Sequence, residues 1–130
     1  MGEEEKRSGV ERRVLVVEDE IMIRMLLEDM LSDLGYGVAA SAGGLEEAVA
    51  LARDGQFDIA ILDVNLNGSS VYPVADLLTQ RGVPFVFSTG YGERALPEAY
   101  RDHHTLQKPF QLETLERVLS TIARNPAGSA

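Results

Sequence analysis

The sequence predicts an α/β fold with a doubly wound parallel sheet, and the order of its apolar patterns is the main evidence. Short apolar runs of strand length alternate along the chain with segments whose apolar residues recur at helical spacing. A strand, a helix and a second parallel strand form a right-handed crossover, which places helices on both faces of the sheet. The 130 residues suit one such domain.

Five apolar runs are predicted to be the strands of the sheet. The first is a continuous run rich in β-branched residues, as is typical of a strand that helices cover on both faces. The third run ends at Asp63. The predicted strands are residues 14–17, 38–41, 58–62, 84–88 and 105–107.

Four segments carry an apolar face at helical spacing and are predicted to be helices. Gly35 and Gly82 are expected to end the first and third of them. Ser69 or Ser70 is expected to cap the third helix, with Pro73 in its first turn. The predicted faces are Ile23, Leu26, Leu27, Met30, Leu31 and Leu34; Leu45, Ala48, Val49 and Ala52; Val71, Val74, Ala75 and Leu78; and Leu112, Leu115, Val118, Leu119 and Ile122.

Residues 90–104, between the fourth and fifth predicted strands, show no clear period. Glycine and proline interrupt this segment, so that residues 95–100 offer only a marginal helix. The segment also contains the neighbouring residues His103 and His104. Histidines can bind metals or carry a phosphoryl group, but two histidines in a loop are usually polar linker residues, and we interpret them so.

Acidic residues dominate the charge of the chain. With 21 Asp and Glu against 12 Lys and Arg, the formal net charge of −9 argues against nucleic-acid binding, because it repels a phosphate backbone. The apolar runs are too short to span a bilayer and no signal-peptide core is present. We therefore expect a cytoplasmic chain with no membrane partner. Because there is no cysteine, disulfides and thiolate metal sites are excluded.

The predicted elements fall within one domain at residues 13–124. Residues 1–12 are charged, and residues 125–130 are poor in apolar side chains. We expect both segments to be flexible extensions, because neither has the apolar surface that would hold it against the core.

Acidic residues lie at the carboxyl ends of two predicted strands. Glu18 and Asp19 follow the first strand, and Asp63 ends the third. In an open parallel sheet these ends meet at one edge, where ligands bind. Carboxylates held together repel one another, and a divalent cation such as Mg²⁺, which prefers oxygen ligands, removes that cost. Taken alone, a Glu-Asp pair usually belongs to a solvated helix start.

A hydroxyl group and a cation are expected at the same edge. Thr89 follows the fourth predicted strand, and Lys108 follows the fifth. A carboxylate such as Asp63 can attack phosphorus to give an aspartyl phosphate. The transferred phosphoryl group then needs positive charge and hydrogen-bond donors around its oxygens. Each of these residues alone is a weak signal, whereas their joint placement at the ends of four strands is a specific one.

Four stretches of the sequence resemble the sequence blocks of the bacterial response-regulator receiver family. They read VLVVEDE, DIAILDVN, VFSTGYG and LQKPF, and the resemblance covers residues 13–124. It implies the CheY-like, flavodoxin-like (βα)5 three-layer sandwich, with a parallel five-stranded sheet of order 2-1-3-4-5. The stretch PFVFSTGY also resembles the PFxFATGY block of the single-domain receivers called the FAT GUY subgroup, apart from Ser88 in place of alanine.

The resemblance also implies a role for each polar residue at the strand ends. It implies that Asp63 is the phosphorylated residue, that Thr89 is the switch hydroxyl and that Lys108 contacts the phosphoryl group. It further implies a cis peptide bond between Lys108 and Pro109. The implied Mg²⁺ ligands are Glu18, Asp19, Asp63 and the backbone carbonyl of Asn65.

The resulting hypothesis is a stand-alone phosphoacceptor in a two-component phosphorelay rather than an enzyme with an external substrate. A sensor histidine kinase or a histidine phosphotransfer protein would supply the phosphoryl group from a phosphohistidine. Only six residues follow the predicted domain at residues 13–124. We therefore expect the signal to pass to a downstream protein by direct contact.

Two departures from the family pattern concern how a signal would leave the site. The loop after Asp63 reads NLNGSS without the usual proline, and Thr105 stands where the family has an aromatic switch residue. The usual Tyr/Thr rotamer coupling therefore cannot operate. This leaves an alternative open, a pseudo-receiver that has the fold but binds its partner independently of phosphorylation.

Two enzyme-like classes fit the residues less well. A haloacid-dehalogenase-like phosphatase also has a nucleophilic aspartate after a strand, but it needs a second acid where this chain has Asn65. Its nucleophile also follows the first strand, whereas Asp63 follows the third. A dinucleotide-binding domain would need a G-x-G-x-x-G sequence after the first strand, and none is present there.

Overall fold

The computed structural model describes residues 12–90 and 96–124, and its centre is a parallel five-stranded sheet with two helices on each face. A separate two-stranded ladder follows the third strand. The strands of the main sheet are β1 (Arg13–Val17), β2 (Gly37–Ala42), β3 (Ile59–Asp63), β4 (Phe85–Thr89) and β5 (Thr105–Gln107). The helices are α1 (Ile21–Asp33), α2 (Leu45–Asp54), α3 (Tyr72–Arg81) and α4 (Leu112–Arg124).

The strands lie in the order β2-β1-β3-β4-β5, and every neighbouring pair is parallel. This arrangement confirms the predicted fold class and strand order. The order places β3 in the middle of the sheet, between β1 and β4. The carboxyl ends of these three strands therefore meet at one edge, which is where such sheets bind ligands.

Alternating side chains of the strands divide the core into two apolar layers. Val14 and Val16 of β1 pack with α1 and α4, whereas Leu15 and Val17 pack with α2 and α3. All four are at most 1% exposed, so helices cover β1 on both faces. This explains why the first apolar run of the sequence is continuous rather than alternating.

The predicted helix faces are confirmed in α2 and α3 and only in part in α1 and α4. Leu27 and Leu31 of α1 are buried, but Leu26 is 48% exposed and Leu112 of α4 is 38% exposed. The prediction that these two residues belong to buried faces was wrong. On α1 the apolar stripe is wider than the contact with the sheet, and Leu26 lies on its solvent side together with Met25.

A short hairpin follows β3, where the sequence was interpreted as a loop. Its two-residue strands are Asn65–Leu66 and Ser69–Ser70, which pair antiparallel. The connecting residues Asn67 and Gly68 have φ angles of 53° and 86°. Two left-handed residues make the tight turn that suits the twist of a hairpin, and Asn-Gly is the sequence that favours it. The dipeptide was therefore a signal that the sequence interpretation missed.

The hairpin also changes the start of α3. The predicted cap at Ser69 or Ser70 was wrong, because both serines belong to the hairpin and Val71 is the N-cap residue. Ser70 still contributes, since its Oγ accepts a hydrogen bond from the Tyr72 amide at 3.3 Å. Pro73 lies in the first turn, and Gly82 ends the helix with φ 74°, both as predicted.

Between β4 and β5, the described residues contain one 3₁₀ turn, Glu98–Tyr100. The marginal helix predicted for residues 95–100 is thus reduced to this turn, and residue 95 lies outside the described part of the chain. The predicted extensions, except for residue 12, also fall outside it. Over residues 12–90 and 96–124, none of the helices combines the length and the apolar character needed to cross a bilayer.

Candidate functional site

Three carboxylates meet at the carboxyl ends of the neighbouring strands β1 and β3. Glu18 and Asp19 directly follow β1, and Asp63 is the last residue of β3. One carboxylate oxygen from each residue lies within 4.8 Å of the other two. Glu18 is 1% exposed and Asp63 6%, so both charges are largely removed from water. The structure therefore brings together the three acidic residues that the sequence placed at this edge.

Lys108 reaches this cluster from the edge strand β5. Its Nζ lies 3.0 Å from Glu18 Oε1 and 3.2 Å from Asp63 Oδ2. Burial alone would lower the pKa of Lys108, but the hydrogen bond to Glu18 and the charges of Asp63 and Glu18 outweigh burial and raise the pKa. Lys108 therefore stays a cation. The peptide bond between Lys108 and Pro109 is cis, as the family resemblance implied.

The single ammonium group does not balance the acidic cluster. Burial and, after it, the charge of Glu18 raise the pKa of Asp63 from 3.8 to about 7. Lys108 acts in the opposite direction, and so does the Asn65 amide, which donates to Asp63 Oδ1 at 3.2 Å. The raised pKa of Asp63 thus reflects burial first and the neighbouring Glu18 charge second, and a further positive charge nearby would lower it.

The same residues fit a divalent cation. The three side chains offer carboxylate oxygens, which are the hard ligands that Mg²⁺ prefers. Asp19 and Asp63 also line an open cleft, so an ion can reach them from solvent. An added cation would oppose the effects of burial and of the Glu18 charge, which together raise the pKa of Asp63. The donor set and the electrostatics of the cluster therefore agree.

The cleft has a volume of about 570 Å³ and contains the other predicted site residues. Thr89, the last residue of β4, also lines it and is 6% exposed. Asn65 and Lys108 also line the cleft, whereas Glu18 does not. The residues at four strand ends thus share one concave surface. The role predicted for the Asn65 backbone carbonyl, that of a Mg²⁺ ligand, stays a prediction.

The hairpin after β3 contacts the acidic cluster directly. The backbone amide of Asn67 donates to Asp19 Oδ2 at 3.1 Å, and the side-chain oxygen of Asn65 accepts from the Gly68 amide at 2.7 Å. The hydrogen bond between Asn65 and Gly68 holds the turn in the conformation in which the Asn67 amide points towards Asp19. The hairpin thereby orients the Asp19 carboxylate, a function that sequence reasoning did not assign to residues 65–70.

An aromatic cluster lies on the opposite face of β4 from the α1 and α4 layer. Its central contact is between His103 and Phe85, whose rings stack with centroids 4.3 Å apart. His103 Nε2 also lies 2.8 Å from the Phe85 carbonyl oxygen, to which it donates. Its members are Tyr72, Phe85, Phe87, Tyr100 and His103, which make edge and stacking contacts with one another.

The polar-linker interpretation was wrong for His103. Burial lowers the pKa of His103, against the opposing effect of its hydrogen bond to Phe85. The residue is thus a neutral aromatic member of the cluster. The centroid of the Tyr100 ring lies 5.3 Å from that of Phe87. Tyr100 therefore places an aromatic ring beside β4, while the position of the family's aromatic switch residue holds Thr105. Sequence reasoning missed the cluster because its members are spread over three separate segments.

Comparison with known proteins agrees with this architecture. The sequence profile of the response regulator receiver domain matches residues 14–120. The transcriptional regulatory protein PdtaR of Mycobacterium tuberculosis is 37% identical over 112 residues, which cover 83% of this chain and 55% of PdtaR. The phyllosphere-induced regulator PhyR of Methylorubrum extorquens is 38% identical over 111 residues, which cover 82% of this chain and 42% of PhyR. The chain thus spans about half the length of these relatives.

Solved structures show the same relationship. The solution structure of SdrG from Sphingomonas melonis Fr1 matches with a TM-score of 0.78 and 39% identity, over 86% of this chain and 96% of that one. A second SdrG structure, described as the BeF3-activated conformation from Pseudomonas melonis Fr1, matches with a TM-score of 0.74 and 39% identity, over 85% and 95% of the two chains.

The chain belongs to the response regulator receiver domain family. This family consists of signalling domains rather than typical enzymes, and its members generally use Mg²⁺ at an acidic pocket. The family and the fold that the four sequence blocks implied are confirmed. Membership of the FAT GUY subgroup stays a prediction.

Proposed function

We propose that this receiver domain accepts a phosphoryl group on Asp63 from a phosphohistidine of a partner protein, in a reaction that needs Mg²⁺. The observation that carries the proposal is the meeting of a buried carboxylate, two further acids and a lysine at one edge of the sheet, beside an open cleft. Glu18 and Asp19 are the proposed metal ligands together with Asp63 itself. Lys108, 3.2 Å from Asp63 Oδ2, is the proposed contact of the phosphoryl group.

The proposed chemistry assigns one step to each residue. The Asp63 carboxylate attacks phosphorus while the bond from phosphorus to the histidine nitrogen breaks, and the electron pair of that bond returns to the imidazole. Mg²⁺, when bound, supplies positive charge for the phosphoryl oxygens. Lys108 adds a second positive charge, and the Thr89 hydroxyl donates a hydrogen bond to a phosphoryl oxygen. Asp63 must lose its proton first, and the lysine favours that loss.

An exposed apolar surface beside the cleft supports a protein as the phosphoryl donor. Glu20 and Ile23, at the start of α1, line the cleft. We define the α1 apolar surface as four exposed side chains of the same helix that a soluble monomer would more commonly bury. They are Ile21, Met22, Met25 and Leu26, which are 61%, 82%, 57% and 48% exposed. A partner that covers this surface would have its phosphohistidine at the mouth of the cleft.

Phosphorylation by a small donor tests the proposed acceptor. The wild-type chain is incubated with phosphoramidate or acetyl phosphate and MgCl₂, and intact mass spectrometry records the gain of one phosphoryl group. We expect the gain in the wild type, its loss on removal of Mg²⁺, and no gain in Asp63→Asn. An acid-labile phosphoryl group on the Asp63→Asn chain would place the acceptor elsewhere and refute the proposal.

A second experiment tests the protein donor separately. Met22→Glu adds a charge to the α1 apolar surface and should slow transfer from a phosphorylated histidine phosphotransfer protein without slowing transfer from phosphoramidate. Ala50→Glu, on the exposed side of α2, is the matched control and should slow neither reaction. Equal loss with both donors would show that Met22→Glu disturbs the cleft itself rather than a docking surface.

The alternative function, a pseudo-receiver, is distinguished by its response to beryllofluoride. The relative SdrG has a conformation described as BeF3-activated. We propose that the present chain binds this phosphoryl mimic in the same cleft, because Asp63, Thr89 and Lys108 all line it. A chain that binds Mg²⁺ but shows no amide shifts with beryllofluoride would favour the pseudo-receiver.

A further inference from the structure

Ser88 is a buried polar residue that has no role in the proposed phosphoryl transfer. Its side chain is 1% exposed, and within the described part of the chain its Oγ is a buried side-chain atom without a hydrogen-bond partner. Leaving a buried hydroxyl group unpaired costs free energy, and such a group in a folded protein calls for a cause. Alanine would fill nearly the same space without that cost.

The position of Ser88 in the sheet places it beside the acidic cluster. It lies opposite Asp63 in the pairing of β4 with β3, and opposite Leu106 in the pairing of β4 with β5. Val86 packs in the α1 and α4 layer, whereas Phe87 packs in the other layer. Because side chains alternate along a strand, Ser88 shares the face of Val86. By the same alternation, Asp63 shares the face of Ile61, which is in that layer too.

The Lys108 side chain must pass the end of β4 to reach the acidic cluster. It starts beside the end of β4, where the Lys108 amide donates to the Thr89 carbonyl at 2.9 Å, and it ends 3.0 Å from Glu18 Oε1. The same ammonium lies 3.2 Å from Asp63 Oδ2 at the end of β3, so the side chain passes the end of β4 and meets the Glu18 carboxylate beside Asp63. On β4, the residue at the level of Asp63 and on the same face is Ser88.

A divalent cation and the Lys108 ammonium cannot both occupy the centre of the acidic cluster. The carboxylate oxygens of Glu18 and Asp63 that would surround a metal lie close to Lys108 Nζ, and two cations at such a distance in a buried site repel strongly. Because the Lys108 backbone is fixed beside β5, a bound metal would shift its ammonium away from the carboxylates and back towards β5. This shift moves the ammonium towards the end of β4, where Ser88 lies.

We propose that the Ser88 hydroxyl accepts a hydrogen bond from the Lys108 ammonium when a divalent cation occupies Glu18, Asp19 and Asp63. Ser88 is then a positioning residue that acts through Lys108, because an ammonium displaced from the two carboxylates has donors that need a new acceptor. The hydroxyl is unpaired without metal and paired with it. The proposal deepens the proposed function, since it rests on the Mg²⁺ site, but it does not need phosphoryl transfer to occur.

Ser88→Ala tests the proposal through two effects of opposite sign. Without metal, removal of the unpaired hydroxyl should raise the melting temperature by about 3 °C. In a calorimetric titration with MgCl₂ alone, the same variant should bind Mg²⁺ about fivefold to tenfold more weakly, which is the effect of one lost hydrogen bond. A residue with a purely structural part would change stability but leave the metal affinity as it was.

Two further variants show whether Ser88 acts through Lys108. Ser88→Thr keeps the hydroxyl group and should keep the Mg²⁺ affinity within about twofold of wild type, whatever the added methyl group does to the melting temperature. In a Lys108→Ala background, Ser88→Ala should have no effect on Mg²⁺ affinity, because the donor is gone. The same loss of affinity in that background would overturn the proposal.

The outcomes separate this inference from the proposed function. Unchanged Mg²⁺ affinity in Ser88→Ala, while the wild type binds Mg²⁺ and is phosphorylated, overturns the inference alone. In another outcome, Ser88→Ala binds Mg²⁺ more weakly than the wild type, as expected, but the wild type gains no phosphoryl group. This outcome supports the inference and refutes the proposed function. A wild type that binds no Mg²⁺ overturns both.

Discussion

The cleft with its acidic cluster and the aromatic cluster are neighbouring regions, and β4 contributes side chains to both. β4 provides Thr89 to the cleft and Phe85 and Phe87 to the aromatic cluster. In the acidic cluster, burial and like charge raise the pKa of Asp63 to about 7, so the arrangement is unfavourable to its own charge. In the aromatic cluster, ring stacking and a hydrogen bond hold a neutral His103. The chain gives up stability at the carboxyl ends of β1 and β3 and gains it in the aromatic cluster beside β4.

Phe87→Ala should cause the largest change, because it removes the central ring of the aromatic cluster. Phe87 is fully buried and its ring contacts the other four members of the aromatic cluster, so its loss leaves a cavity. We expect the free energy of unfolding to fall by about 3 to 5 kcal/mol. Urea denaturation measures it. A fall below about 1 kcal/mol would mean that the cluster does not stabilise the fold as described.

Asp63→Asn should change stability in the opposite direction at neutral pH. The pKa of Asp63 is raised in the folded state to about 7, so between about pH 4 and 7 the folded chain binds a proton that the unfolded chain does not. Rising pH therefore lowers the stability of the wild type over this window. The variant lacks the titrating group and should be more stable by roughly 2 kcal/mol at pH 8, with little difference at pH 4.

Urea denaturation of the wild type and Asp63→Asn across this pH range measures the effect. Added Mg²⁺ should stabilise the wild type at pH 8 more than it stabilises the variant, because the variant has lost one of the three carboxylates. A variant that is less stable than the wild type at pH 8 would contradict the described electrostatics of the site.

The acidic cluster was predictable from sequence for a physical reason. Asp63 and Lys108 lie at strand ends, and in a parallel sheet the strand ends share an edge whatever the details of packing. The same regularity gave the strand order once the family blocks were found. The hairpin was predictable too, but only from Asn67 and Gly68, whose turn preference outweighed the capping preference of the neighbouring serines.

The aromatic cluster was not predictable in the same way. Tyr72, Phe87 and His103 are separated along the chain and have no spacing rule that joins them. Their contact depends on where α3 and the 3₁₀ turn lie against β4, which is a result of packing. The exposed Leu26 has a similar origin, since an apolar period shows where a helix is and not how much of its stripe the sheet covers.

His103 offers a smaller effect that sharpens the comparison, because its pH dependence should have the opposite sign to that of Asp63. Burial lowers the pKa of His103 below 6.5, so on acidification the unfolded chain takes up a proton before the folded chain does. Stability is therefore lost as the pH falls below about 6.5. In His103→Phe, which keeps an aromatic ring, this loss should be absent. An unchanged acid-side slope in the variant would contradict the assignment.

Tyr100→Phe should have the smallest effect of the four. The Tyr100 hydroxyl donates to Asp76 Oδ1 at 2.5 Å and also has a hydrogen bond with the Thr79 side chain, and the variant keeps the ring while it loses these contacts. We expect a loss of about 0.5 to 1 kcal/mol in thermal or urea denaturation. A larger loss, comparable with that of Phe87→Ala, would show that the link between the 3₁₀ turn and α3 carries more of the stability than the ring packing does.

The hairpin after β3 gives the acidic cluster a reporter of its own in hydrogen exchange. The hairpin is short, and residues 67–70 are all exposed, so it can open without the rest of the sheet. The Asn67 amide is protected only while Asp19 Oδ2 accepts its hydrogen bond. Its exchange rate with solvent deuterium therefore measures the fraction of time for which the hydrogen bond to the Asp19 carboxylate is broken. A ligand that binds to Asp19 will change that rate at this one amide.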